Sequence, residues 1–207
     1  MNGDSAASVG AAPDRQLLLP DKTHQEFQAA VEEHPTLRVE YLNGDIVMTP
    51  ARSPHHQMVV ANLLLLLGQH AKQKDLGVVL PAPLDVVLAR EAQITQPDLI
   101  FVGKSHRNKL LARAVVNGAP DLAVEVLSPS TARMDRKVKL LLYAQHGVGE
   151  YWIVDPVERQ FDFLVNRSGR FEVQPQQDNR YASPVAPELQ IDLAAFWQSV
   201  DEQLGPS

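Results

Sequence analysis

The chain has 207 residues, 44% of them hydrophobic, carries a net charge of −6 and contains no cysteine. That length suits one domain with a real core, and the missing cysteines exclude disulfides, thiolate zinc sites and a cysteine nucleophile. The negative balance speaks against a general electrostatic grip on nucleic acid, which needs a basic face; no apolar run reaches transmembrane length, and no basic-then-apolar leader marks secretion, so a cytoplasmic location is expected.

In chain order, residues 1–15 are rich in Ala, Gly, Ser and Asp and read as a disordered tail, with a single domain over 16–207. Thr23 and Glu26 have capping-box spacing, so a helix is expected to about Glu33, ended by Pro35. Arg38 to Leu42 and Asp45 to Met48 read as a hairpin about Asn43-Gly44. Ser53-Pro54 opens a helix running to about Lys74, and its Leu63–Leu67 run predicts burial on most sides. Strands are expected over 77–80, 84–88 and 96–102, and a short helix over 107–114. Leu122, Val124 and Val126 alternate along a strand that ends at Ser128-Pro129, and Ser130 or Thr131 can cap a helix to about His146, stopped by Gly147. A strand over 150–154, a hairpin about Ser168-Gly169 and a final helix capped by Asp192 complete the chain. Strand, helix, strand over 122–154 makes one right-handed βαβ unit. With short antiparallel connections before it, the expected class is α/β, a sandwich around a mixed sheet.

Two acids interrupt apolar strands: Asp98 near the start of one and Glu125 near the end of another. If those strands are antiparallel neighbours, the two carboxylates meet across the sheet. With backbone oxygens and water they would suit a hard divalent cation such as Mg²⁺. Pro120-Asp121 repeats the Pro97-Asp98 dipeptide, but Asp121 and Glu125 lie about 13 Å apart on one strand, too far to share an ion. The following helix offers Lys137 and Lys139, which flank an expected inward stripe of Met134, Val138, Leu141 and Gln145; periodicity does not choose between them. A lysine there would offset negative charge developing on a phosphodiester.

Plainer readings stand beside these. Asp98 after proline is an ordinary strand-entry residue. Glu125 costs free energy in an apolar strand unless paired, and Arg133 is a candidate partner. Lys139 follows Asp135 at the favourable helical spacing for an ion pair. His55 and His56 are adjacent and do not share a helix face. Arg133 and Arg136 near Thr131 either hold a phosphate or form a solvated face. One of Tyr151 and Trp152 is expected in the core, and Ser128 and Ser130 lack the partners of a serine hydrolase.

Several strings together carry a resemblance. They are Glu40-Tyr-Leu-Asn-Gly44, Ser53-Pro-His-His56, Gln96-Pro-Asp-Leu-Ile-Phe-Val102, Asp121-Leu-Ala-Val-Glu-Val-Leu-Ser-Pro-Ser-Thr131, Asp135 with Lys139, and Glu150-Tyr-Trp-Ile-Val-Asp-Pro156. Over about 23–197 the chain resembles the Uma-type restriction endonuclease family, a bacterial branch of the PD-(D/E)xK nucleases. The resemblance implies a restriction-endonuclease-like mixed sheet flanked by helices on an αβββαβ core. It implies a metal set of Asp98, Glu125 and Val126, with Mg²⁺ as cofactor and Mn²⁺ as substitute, and DNA as partner of a possible homodimer. It favours Lys139 over Lys137 and adds Glu40 and His56 as further site candidates. Leu127 stands where the superfamily motif has lysine, so Lys139 would supply the amine from the helix. The competing expectations are a catalytically inactive nuclease-fold protein binding DNA or a protein, and a hydrolase of another phosphate compound.

Overall fold

The computed structural model describes residues 16–89, 91–111 and 115–204. The tail expected over 1–15 lies outside these, as does 112–114 of the short helix expected over 107–114.

Strand β1 (Leu17–Leu19) precedes helix α1 (His24–Glu33), which opens on the expected capping box: Thr23 Oγ1 accepts from the Glu26 amide at 3.2 Å, and the Thr23 amide donates to Glu26 Oε2 at 2.8 Å. Strands β2 (Arg38–Leu42) and β3 (Asp45–Thr49) pair through a tight turn in which Asn43 and Gly44 both take positive φ. Helix α2 (Pro54–Gln73) starts at Ser53, whose hydroxyl accepts from the His56 amide. Next come β4 (Gly77–Pro81), β5 (Asp85–Ala89), β6 (Gln93–Thr95) and β7 (Leu99–Gly103). Instead of an α-helix, a 3₁₀ turn (Lys104–Lys109) then leads into β8 (Leu110–Leu111), and β9 (Val115–Asn117) follows. The central strand β10 (Leu122–Val126) hands over to a helix wound as π over Met134–Lys139 and as α3 over Leu140–Gln145. Strands β11 (Glu150–Asp155), β12 (Gln160–Arg167), β13 (Arg170–Gln174), β14 (Arg180–Ala182) and β15 (Gln190–Asp192) precede helix α4 (Leu193–Leu204), where Asp192 Oδ1 accepts from the Ala195 amide as a cap.

One six-stranded sheet runs β13-β12-β11-β10-β7-β4, with β10 and β11 parallel and β7 antiparallel to β10. Its β4, β7, β10 and β11, with α2 before them and α3 in the crossover, make the expected αβββαβ core. A second, seven-stranded sheet, β1-β3-β2-β6-β5-β9-β8, gathers the short strands of the first half. It contains a parallel pair, β5 with β9, where only antiparallel pairing was expected. Each sheet on its own has an apolar face to cover, and stacking the two does this. Val86 and Val116 of the second sheet pack on Ile100 and Val102 of β7.

Alternation decides which face each residue of the six-stranded sheet serves. Val124, Val126 and Trp152 point toward α2 and α4 and meet Leu63, Leu67, Phe196 and Trp197. Ala123, Leu127 and Tyr151 point the other way and meet Tyr143 of α3. Tyr151 and Trp152 are therefore both core residues, one on each face, rather than one alone. The leucine run of α2 buries Leu63 and Leu67 but leaves Leu65 exposed, so the helix keeps one open side. Among the described residues no helix is long and apolar enough to cross a membrane.

Candidate functional site

Glu125 shares its strand face with Ala123 and Leu127, so it points between the two sheets. Because Val124 lies opposite Leu99 on the antiparallel neighbour, Asp98 arrives beside Glu125, as the sequence spacing predicts. Facing them from the second sheet is β2, where alternation sends Val39 and Tyr41 to the α1 core and Arg38 and Glu40 inward. The helix after β10 adds Asp135, Lys139 and Tyr143 from one side, and α2 adds His56. Glu40, His56, Asp98, Glu125, Asp135 and Lys139 are all buried.

The expected inward stripe of that helix is incorrect. Leu141 and Gln145 are exposed, and the buried positions are Asp135, Lys139, Leu142, Tyr143 and Ala144. Their spacing keeps the helical period, so the inward face lies one residue round from the expected stripe, and its first half is polar because it closes on carboxylates. Lys139 is buried while Lys137 is exposed, which resolves the choice between them.

Lys139 Nζ lies 2.8 Å from Glu125 Oε1, 2.9 Å from Glu40 Oε1 and 3.5 Å from Asp135 Oδ1. The family-type partner and the helical ion pair are both present. Tyr143 donates to the same Glu125 oxygen at 3.0 Å. Arg38 Nη1 donates to Asp98 Oδ1 at 2.7 Å, and Nη2 to Glu125 Oε2 at 3.1 Å, with Glu40 3.4 Å away. Arg38, not Arg133, is thus the arginine on Glu125. Asp98 Oδ2 accepts from the Val126 amide at 2.8 Å and lies 3.2 Å from His56 Nε2. Glu40 also accepts from the Gln96 amide at 2.8 Å. Leu127, in the place of the motif's lysine, packs in the apolar core.

The charges hold one another in place. Burial pushes the Asp98 carboxyl up, but Arg38 and His56 outweigh it and keep the group well below the usual carboxylate range. Burial likewise opposes charge on Glu40, and Arg38 and Lys139 reverse this. Lys139 is disfavoured by burial and by Arg38, yet Glu125, Glu40 and Asp135 raise it above its ordinary value, so the ammonium stays charged. Asp135 is the exception. Burial raises it to about 7 against the pull of Lys139, and neither carboxylate oxygen has a hydrogen-bond partner.

A groove of about 430 Å³ leads to this cluster, with Arg38, Arg52, His56, Gln96 and Asp98 on its walls. Arg52 is tied to the turn after β10 by a 2.9 Å bond from Nη1 to Ser128 Oγ. Arg133 and Arg136 are both exposed, the solvated-face reading, and Arg136 pairs with Asp155 and Asp162 at the surface. Asp121 sits at the far end of its strand, accepting from the Gly103 amide and paired with His106, well away from Glu125.

Among the described residues no three His, Cys, Asp or Glu side chains stand arranged to hold a metal ion. The reason is visible, because the Arg38 guanidinium fills the space between the acids. Asp98 Oδ1 and Glu125 Oε2 have that guanidinium as their hydrogen-bond partner, so both already point at one cation. Two carboxylate oxygens aimed at a shared positive centre form a hard-donor set that fits a divalent ion.

A family profile described as "Putative restriction endonuclease", Uma2, matches residues 24–194. The chain belongs to the Uma2 family. The Uma2 match takes in both sheets apart from β1, and every residue of the buried cluster. Among solved structures, the chain is similar to one described as a putative nuclease belonging to DUF820 from Anabaena variabilis ATCC 29413. The TM-score is 0.67 at 20% identity, covering 78% of this chain and 90% of that one. That likeness establishes a shared fold. No curated protein matches the chain.

Arg38, Asp135 as a buried acid, Tyr143 and Arg52 escaped the sequence reading of this Uma2 chain. Arg38 and Glu40 did leave a signal. Two charges alternate with Val39 and Tyr41 in a strand, so the face they share carries two ionic groups that need partners if the strand is covered on both sides.

Proposed function

We propose that this protein is a metal-dependent endonuclease that hydrolyses DNA phosphodiester bonds. Asp98 and Glu125 would hold Mg²⁺, or Mn²⁺ in its place, and a backbone oxygen of Val126 would complete the set. The observation that supports this reading most directly is the convergence of Asp98, Glu125 and the Lys139 ammonium from three separate elements, with Lys139 2.8 Å from Glu125. The family's description supports the reaction class.

When bound, the cation polarises the phosphate and eases deprotonation of the attacking water. The chain's own residues do the rest. His56 and the Val126 amide fix Asp98, and Tyr143 fixes Glu125. Glu40 and Asp135 hold the Lys139 ammonium in place, and its charge offsets the negative charge that builds on the phosphate as the bond to the leaving oxygen breaks. The groove beside Arg38 and Arg52 admits the substrate strand and supplies local positive charge despite the acidic whole. A cytoplasmic homodimer cutting two strands belongs to the same reading; the open edge strand β13, with Val173 exposed, supports that assembly.

Glu125→Gln tests the assignment. With Mg²⁺ and duplex DNA, the variant is expected to lose at least about 100-fold in cleavage while its circular dichroism stays that of the wild type. Unchanged cleavage would overturn it. Single strands and mononucleotides in the same panel separate DNA cleavage from hydrolysis of other phosphates. A second reading, a non-catalytic nuclease fold that binds DNA or a protein, is favoured by one observation: Arg38 already neutralises both acids. Folded wild type that takes up neither Mg²⁺ nor Mn²⁺ in calorimetry would decide for it.

A further inference from the structure

Arg38 is bound too well for a bystander. Each acid has one oxygen already committed: Asp98 Oδ2 to the Val126 amide and His56, and Glu125 Oε1 to Lys139 and Tyr143. The other two oxygens, Asp98 Oδ1 and Glu125 Oε2, are left to the two ends of one guanidinium. These are the oxygens with lone pairs free for any second cation. A planar, permanently charged fork that offers a separate nitrogen to each of two carboxylates is the geometry of arginine. A divalent ion placed between the acids with Arg38 still there would put like charges within a few ångströms in a poorly screened interior. The two cations therefore compete for the same two carboxylate oxygens.

Arg38 has somewhere to go. It stands on the wall of the open groove, its side chain 11% exposed, and its Nε has no hydrogen-bond partner. Arg52 lies on the same wall, and the acids would be engaged elsewhere. A guanidinium released into that groove meets no free carboxylate among the wall residues other than Asp98 and finds the setting of a phosphate ligand.

We infer that Arg38 is an internal stand-in for the metal: it holds Asp98 and Glu125 together in the resting protein, is displaced by the divalent cation, and then binds a backbone phosphate of the nucleic acid in the groove. This rests on the divalent-cation reading above and adds a positioning role that the reading does not need. The resting site thereby avoids leaving two buried carboxylates uncompensated, which would cost stability. It also makes metal uptake and phosphate binding cooperative, since a phosphate in the groove stabilises the displaced arginine.

The test uses the full chain as wild type, Arg38→Met and Arg38→Lys, titrated calorimetrically with Mn²⁺ and melted with and without it. The lysine variant keeps a positive charge near the acids, so it remains measurable if the methionine variant folds poorly. The expected result is Mn²⁺ affinity raised at least about tenfold in Arg38→Met and raised by less in Arg38→Lys, whose ammonium still competes, with a larger melting shift on adding Mn²⁺ than in wild type. Binding of a short DNA duplex in Ca²⁺, followed by anisotropy, should weaken in both. Wild-type Mn²⁺ binding with equal or weaker affinity in the variants would overturn the role of Arg38 alone. No Mn²⁺ binding by any of the three folded proteins would overturn both this inference and the metal-dependent reading beneath it.

Discussion

Lys139→Met is the perturbation that probes the buried cluster most sharply. Methionine keeps the length and most of the packing of the stem, so the change is close to removal of one positive charge. That charge lies 2.8, 2.9 and 3.5 Å from three carboxylates, with the lysine 1% exposed. Removing one partner of a buried ion pair costs roughly 3–5 kcal/mol, mostly because the other charge stays behind. Against the roughly 5–15 kcal/mol that holds a domain together, the variant should lose a large share of its stability. At a urea dependence of roughly 2 kcal/mol per molar, its midpoint should fall by roughly 1.5–2.5 M. Trp152 and Trp197 are both buried and report unfolding by fluorescence. The loss should also depend on pH. Asp135 has its carboxyl raised to about 7 by burial, and Lys139 is what pulls it down. Without the lysine it takes up a proton more readily still, which removes one of the stranded negative charges. The deficit should be clearly larger at pH 8 than at pH 5.5. A loss below about 1 kcal/mol that is the same at both pH values would refute the view that Lys139 neutralises buried carboxylates.

Asp135→Asn tests the opposite sign. A carboxyl with a raised folded value favours the fold fully below its ordinary 3.8, and that contribution drains away as the pH climbs to about 7. The variant should therefore be more stable than wild type at pH 8, on the order of 1–3 kcal/mol, and show little gain near pH 4, by urea unfolding at the two pH values. Glu150 accepts from Trp152 Nε1 at 2.5 Å, Tyr181 at 2.6 Å and Ser183 at 2.6 Å, tying β14 to the main sheet. Glu150→Gln brings an amide donor to a site furnished with donors and should cost about 1–3 kcal/mol, with a changed near-ultraviolet spectrum from Trp152; unchanged unfolding would sink that account.

The sequence by itself determined what local chemistry determines. Thr23, Ser53 and Asp192 cap helices where their side chains can reach an unpaired amide. Asn43-Gly44 turns because both residues tolerate positive φ. Alternation, caps and stops read along the chain gave the βαβ unit and a mixed α/β class, while the αβββαβ order came from the family resemblance. The meeting of Asp98 with Glu125 was also legible, because antiparallel neighbours bring a strand start beside a strand end.

Tertiary structure decided the rest. Nothing local says that β2 lies across from β7 and β10, so Arg38 was only the first residue of an expected hairpin strand and its place between the two acids was invisible. The polar inward face of the helix could not be read from an apolar stripe, since the stripe rule assumes an apolar interior and this helix closes on charge. Stacking of the second sheet on the first buries that charge, and there Asp98, Glu125 and Glu40 draw cations from distant parts of the chain, while Asp135 is pushed toward its neutral form. Long-range pairing of this kind is set by which surfaces meet, a property of the folded whole that no window of sequence contains.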